Sequence, residues 1–217
     1  MDMEIKSVKT MAEGMEDIIP VLVPVDELSD SYVYGHVNGM DDVAIQFMIM
    51  GDDVWLPLLK DIAVEYGITP EALVQHLETV EYPYKLVSLK EQFRDCPGLL
   101  KDMYLLTNTD QFYGAGALAN DYVKDKLYKI FGCNIIVIPT SIHEVLVLPE
   151  SCYSEEDTDT LLEMLYTLQP RTKDGEHDDT WLSDHIYYFS RIQGCLYLPP
   201  SSTTTLYSGA DGTVNPQ

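Results

Sequence analysis

Residues 135–148 read IIVIPTSIHEVLVL. Two apolar β-branched runs stand on either side of Pro139-Thr140-Ser141, and the gap between them is too short for a helix. The pair therefore predicts a buried antiparallel hairpin, with strands over 135–138 and 144–148. Before it, a helical pattern over 115–131 is entered through Gly114 and Gly116 and stopped by Gly132, and is itself preceded by a short apolar strand over 103–107 (MYLLT). After it, Ser154-Glu155-Glu156-Asp157 opens a helix running to about 168 with Leu161, Leu162, Leu165 and Leu168 on one face, and HIYYF at 185–189 reads as a further strand. The order β-α-β-β-α-β predicts an α+β fold with a ferredoxin-like sandwich over 101–198, its helices on one face of an antiparallel sheet.

Upstream, residues 1–100 read as a β-rich segment followed by a two-helix hairpin. The run 18–25 is interrupted by Pro20 and Pro24, which suits an edge strand because proline donates nothing to a ladder. Strands follow over 32–36 and 43–50, with Asn38-Gly39 as a turn signal. Beyond Gly51, Asp52 or Asp53 can cap a helix whose inner face is Trp55, Leu58, Leu59, Ile62, Ala63 and Tyr66, ended by Gly67. Thr69-Pro70-Glu71 then starts a second helix over 71–79. This pair is not a DNA reader, since its second helix offers Glu71, Gln75, His76 and Glu78 rather than Lys and Arg. Residues 199–217 hold few core-forming side chains and read as a flexible tail.

The balance of 36 Asp and Glu against 13 Lys and Arg gives a formal charge of −23 over 217 residues, which excludes direct binding to nucleic acid or an anionic membrane by repulsion. Cys96, Cys133, Cys152 and Cys195 form no C-x-x-C pair and read as reduced thiols of a cytoplasmic protein, Cys133 as buried and inert. No apolar run is long enough to span a bilayer, and the N-terminus lacks the form of a signal peptide.

Candidate chemistry is thin. Ser141, His143 and Glu144 with Ser183, Asp184 and His185 contain the residue types of a Ser-His-Asp hydrolase or a divalent-metal site. Against that, there is no nucleophile elbow and no spaced ligand motif, so turn-capping serines and hydrogen-bonded structural histidines are the favoured reading. His177-Asp178-Asp179 follows an Asp174-Gly175 turn and lacks calcium-loop spacing, which favours a solvated loop. Gly114-x-Gly116 lacks the Lys or third Gly of a phosphate loop and reads as a close-packed helix entry. No cofactor is called for.

Three segments, MYLLTN (103–108), IPTSIHEVLVLP (138–149) and LSDHIYYFSR (182–191), with GITPEALVQHL (67–77) more loosely, resemble a domain-of-unknown-function family of bacterial proteins found on mobile elements of gut Firmicutes. Its members carry a Tyr-Pro pair in the first helix of the block, where this chain has Leu118-Ala119-Asn120. The resemblance implies an α/β cytoplasmic protein and transfers no substrate, cofactor or catalytic residue.

Charge patterning is the remaining functional signal. No Lys or Arg stands between Lys9 and Lys60, a stretch that holds Asp26, Glu27, Asp41 and Asp42, and none stands over 130–170, which holds Glu155, Glu156, Asp157 and Asp159. The expectation is a non-enzymatic acidic interaction protein that docks on a basic protein surface through these residues. On a mobile element, such a protein suits the role of an inhibitor or nucleic-acid mimic acting on a host defence or nucleic-acid-handling enzyme. The alternative is a small metal-dependent or Ser/His hydrolase using His143, Asp184 and His185.

Overall fold

The computed structural model describes residues 18–50, 54–79, 81–92, 102–154, 157–192 and 194–197. Strand β1 (Ile18–Pro24) is the edge strand its prolines require, paired among the described residues with β3 (Val43–Met50) alone. The other side of β3 is shared by β2 (Tyr34–His36) and β4 (Trp55–Pro57), and the β2–β3 turn carries Gly39 at φ 82°.

The helix expected from Trp55 onward is corrected by β4. Once β2 has run out, the edge of β3 is open, and residues 55–57 take it up (Met48 opposite Pro57, Met50 opposite Trp55) despite their helical spacing. Only Lys60–Glu65 (α1) is helical, ended by Gly67 at φ 68°; Asp52 and Asp53 lie outside the described residues. Helix α2 (Pro70–Thr79) starts as its sequence indicates, Thr69 Oγ1 accepting from the Ala72 amide at 3.1 Å.

The second sheet holds β5 (Tyr84–Ser88), β6 (Tyr104–Asn108), β7 (Ile135–Pro139), β8 (Val145–Pro149), β9 (Tyr187–Ser190) and β10 (Gly194–Tyr197), in the order β10-β9-β7-β8-β6-β5 and antiparallel throughout. A short helix, α3 (Leu89–Gln92), follows β5. The central hairpin forms in the expected register, with Ile136 opposite Leu148, Val137 opposite Val147 and Ile138 opposite Leu146. The helical stretch after β6 is divided: a 3-10 helix (Gly114–Ala119) gives way at Asn120 to α4 (Asp121–Phe131). Asn120 makes the break by capping α4 through Oδ1 (Val123 amide, 3.1 Å) while its Nδ2 donates to the Leu77 carbonyl at 2.5 Å.

Helix α5 (Thr158–Leu168) packs on the opposite face of the sheet from α4. Val123 and Leu127 of α4 share a core with Ile135, Val137, Val145 and Val147, whereas Leu161 and Leu165 of α5 pack with Ile136, Ile138, Leu146 and Leu148. The expectation of helices on one face is thereby corrected, and strand order supplies the reason. β6 and β7 are parallel with β8 between them, and β8 and β9 are parallel with β7 between them. Both crossovers step across the sheet in the same direction from strands of opposite sense, so right-handed connections pass over opposite faces. In a ferredoxin-like order the last strand would lie beside β6 and the two steps would run in opposite directions; here β9 lies beside β7.

The first sheet covers the α4 face. Leu22, Val33, Val43, Ile45 and Phe47 belong to the same buried cluster as Leu106, Val137 and Tyr187, so one core joins both sheets. Gly116 permits this approach, because a Cβ there would overlap the carbonyl oxygen of Pro20 in β1. The predicted tail over 199–217 lies outside the described residues, as do Glu155 and Glu156.

Candidate functional site

Three loops meet at one end of the larger sheet: the segment after β6, the β7–β8 turn and the segment leading into β9. Thr107 Oγ1 donates to the His143 carbonyl at 2.9 Å, the Ala115 amide to Ile142 at 3.3 Å, and the Ile142 amide to Thr180 at 2.8 Å. Gly114 fits only because it has no side chain; a Cβ would overlap Thr107 Oγ1, the Asn108 amide and the His143 carbonyl. The turn itself is held by Thr140 Oγ1 donating to Glu144 O (2.7 Å) and by Ser141 Oγ accepting from the His143 amide (3.1 Å).

The sequence candidates separate here into three arrangements. In the first, Asp42 receives Tyr187 Oη on Oδ1 at 2.5 Å and Ser183 Oγ on Oδ2 at 2.6 Å, with His185 Nδ1 2.9 Å from Oδ2. Ser183 Oγ and Tyr187 Oη lie 2.7 Å apart, each giving its single proton to Asp42, and both residues are fully buried. Burial pushes the Asp42 carboxyl up, but the bonds from Ser183, Tyr187 and His185 outweigh it and hold the group below its ordinary value. This polar clasp ties the loop before β3 to the start of β9.

In the second arrangement, His177 Nε2 lies 3.2 Å from Asp184 Oδ2 and its ring stacks on Trp181, centroids 4.2 Å apart. His177 follows a tight turn closed by Thr172 N to Glu176 O (2.8 Å), with Gly175 at φ 83°.

In the third, His143 Nδ1 accepts the Tyr113 amide at 3.0 Å, which fixes the neutral tautomer with its proton on Nε2. Its ring stacks on Phe112 at 5.1 Å, and Trp55 meets Phe112 at 5.2 Å and Tyr113 at 5.5 Å. Burial holds the His143 imidazole below its ordinary value, against the pull of Asp179 and Asp178.

His143, Asp184 and His185 therefore each serve a different partner. Ser183 Oγ donates to the Asp42 carboxylate, and Ser141 Oγ accepts from a backbone amide. Among the described residues, no group of three or more His, Cys, Asp and Glu side chains could hold a metal ion. Cys133, expected to be buried, is half-exposed with Sγ 3.5 Å from Ser151 Oγ, and Cys152 is exposed.

The acidic candidates also divide. The Val25 amide donates to the Asp42 carbonyl at 2.9 Å, which sets Asp26 and Glu27 beside Asp41 and Asp42. Burial and then the charge of Asp179 push the Glu27 carboxyl up, so residues 178 and 179 join this group. Asp157, by contrast, accepts from the Ser154 amide and hydroxyl at 2.8 and 2.9 Å, and with Asp159 belongs to the start of α5, across the sheet. A cleft of about 460 Å³ opens elsewhere, between β2, α2, α4 and β9, with Glu78, Lys124, Tyr128 and Arg191 on its walls. Its Lys124 is already tied to Asp121 at 2.6 Å.

The arrangement defines an α+β protein of two antiparallel sheets with helices on both faces of the larger one. Residues 68–191 match the family of unknown function DUF5688, and the chain belongs to that family. No curated protein and no solved structure matches it. The matched range holds His143, Asp178, Asp179 and Ser183 but not Asp42 or Trp55, so the clasp and the aromatic group each join family residues to the first sheet. No helix among the described residues is long and apolar enough to cross a membrane.

Proposed function

We propose that this protein is a non-enzymatic interaction protein that docks on a basic surface of another protein through the end where Asp26, Glu27 and Asp41 meet Asp178 and Asp179. The observation that carries this reading is that the fold brings Glu27 near Asp179, carboxylates 152 positions apart in the chain; the Glu27 carboxyl is pushed up first by burial and then by the Asp179 charge. Among the described residues, no Lys or Arg lies within ion-pair distance of Asp26, Glu27, Asp178 or Asp179. Like charges set close together repel one another, and a basic partner relieves that repulsion. Asp42 is turned inward to the clasp and is not among the docking groups. An inhibitor whose carboxylates stand for the phosphates of a nucleic acid is one form of this reading, and the scattered cysteines suit a cytoplasmic protein.

We prefer this reading to the hydrolase alternative because His143, Asp184 and His185 do not share one another as partners: the carboxylate beside His185 is Asp42, and Asp184 lies beside His177. The test is binding of a fluorescent hexalysine peptide, followed by anisotropy at about 10 mM and about 150 mM salt, between which the Debye length falls from about 30 to about 8 Å. Affinity should fall steeply with salt, and the double variant Asp26→Lys, Glu27→Lys should bind several-fold more weakly at low salt. Binding that is indifferent to both would overturn the reading.

A further inference from the structure

We propose that the ring group of Phe112 and His143, flanked by Trp55 and Tyr113 and bordered by Asp178 and Asp179, is a subsite for the guanidinium group of an arginine on the partner. The inference rests on the docking reading above and specifies one contact within it.

Phe112 is displayed rather than merely uncovered. It is 43% exposed, whereas Phe47 and Phe189 are buried. The buried Asn108 clamps its backbone from both sides, Nδ2 donating to the Phe112 carbonyl at 2.7 Å and Oδ1 accepting its amide at 3.2 Å. Gln111 and Tyr113 on either side hold left-handed backbone at φ 58° and 54°, a conformation that L residues adopt reluctantly. A ring fixed in this way gives up little freedom when a partner lands on it.

The surroundings favour a cation. Aromatic faces are negative, and Trp55, Phe112 and Tyr113 lie with centroids 4.3–5.5 Å apart. His143 adds a neutral ring, its Nδ1 occupied by the Tyr113 amide. Beside it, the bond from the Ile142 amide to the Thr180 carbonyl brings in the 178–180 loop. There Asp178 is oriented by Thr180, whose amide and hydroxyl donate to Oδ1 at 2.8 and 2.7 Å, leaving Oδ2 without those bonds; Asp179 is exposed. Flat π surface next to carboxylates suits the planar, weakly hydrated guanidinium, which stacks and donates at once, better than the compact ammonium of lysine.

The experiment compares fluorescent hexa-arginine and hexalysine peptides, equal in charge, on the wild type, on Phe112→Leu and on Phe112→Tyr. The wild type should prefer the arginine peptide by about five-fold, the middle of the range that cation–π contacts support. Phe112→Leu, which keeps apolar bulk without the ring, should abolish that preference and leave hexalysine binding within about two-fold; Phe112→Tyr should retain it. Equal binding of the two peptides by the wild type overturns the inference without needing a variant, as does a preference that survives Phe112→Leu; in either case salt-sensitive binding weakened by Asp26→Lys, Glu27→Lys leaves the docking reading standing. Failure to bind either peptide overturns both.

Discussion

Replacing Asp42 with alanine removes the acceptor shared by two buried hydroxyls. Tyr187 Oη and Ser183 Oγ lose bonds of 2.5 and 2.6 Å, and a hydrogen bond to a charged group contributes about 1.5–3 kcal/mol. The contact to His185 adds little, because that side chain is 54% exposed. With Asp42 gone, the two hydroxyl oxygens, 2.7 Å apart, can share one of the two protons it had accepted. Asp42 is 29% exposed, so some water can enter in its place. These terms together put the loss at about 2–4 kcal/mol. The Asp42 carboxyl is held below its ordinary value in the folded protein, so its contribution is complete above the unfolded pKa of about 3.9 and is lost as pH falls through the folded one. Urea unfolding of wild type and Asp42→Ala at pH 7 should show the full gap, and the gap should narrow as the solution is taken below about pH 4. A gap under about 0.5 kcal/mol at pH 7, or one that does not shrink in acid, would refute the clasp.

Gly116→Ala should lose at least about 1–3 kcal/mol in the same urea assay, since the new methyl overlaps the Pro20 carbonyl and β1 must move; wild-type stability would mean the sheets do not approach this closely. Ile136→Asp and Leu146→Asp each set a carboxylate into the α5 side of the sheet at a cost of several kcal/mol, and should yield insoluble or unfolded protein; cooperative melting near the wild-type midpoint would refute the hairpin assignment. His143→Gln removes the acceptor of the Tyr113 amide and should lower stability by about 1 kcal/mol. Adding a chelator to the wild type should leave its melting temperature unchanged, and a large drop would show a bound metal.

The parts of the fold legible in the sequence are those set by local chemistry. Thr69 caps, Gly67 stops a helix, prolines mark β1 as an edge, and the gap after Ile138 is too short for anything but a hairpin. Strand β4 was hidden because Trp55, Leu58 and Leu59 fall at helical spacing, while the open edge of β3 that captures residues 55–57 exists only in three dimensions. Strand β5, read YKLVS, is short and half-buried, and so carries little pattern. The side on which each helix lies depends on strand order, which no single segment encodes. Yet one trace of it was present: the runs IIVI and VLVL show no polar alternation, as expected of strands covered on both faces, and a sheet with both helices on one side would not need that.

The candidate site follows the same division between near and far in sequence. Ser183, Asp184 and His185 are neighbours and invite a reading as one catalytic group, but their side chains do not share a direction. Ser183, His185 and Tyr187 recur at two-residue steps and all meet Asp42, whereas Asp184 between them meets His177. Adjacency thus suggested the wrong carboxylate, and the right one stands 141 positions away from Ser183. Asp41 and Asp42 are adjacent, yet Asp42 is turned inward and spent on joining the sheets, while the turn it anchors holds Asp26 and Glu27 against Asp179. The clasp and the docking end are therefore coupled: loss of Asp42 should scatter the carboxylates as well as loosen the fold, so a weaker grip on basic peptides in Asp42→Ala reports lost positioning and not one lost charge. Asp41→Asn, which removes the same single charge outside the clasp, separates the two, and should weaken hexalysine binding less than Asp42→Ala does.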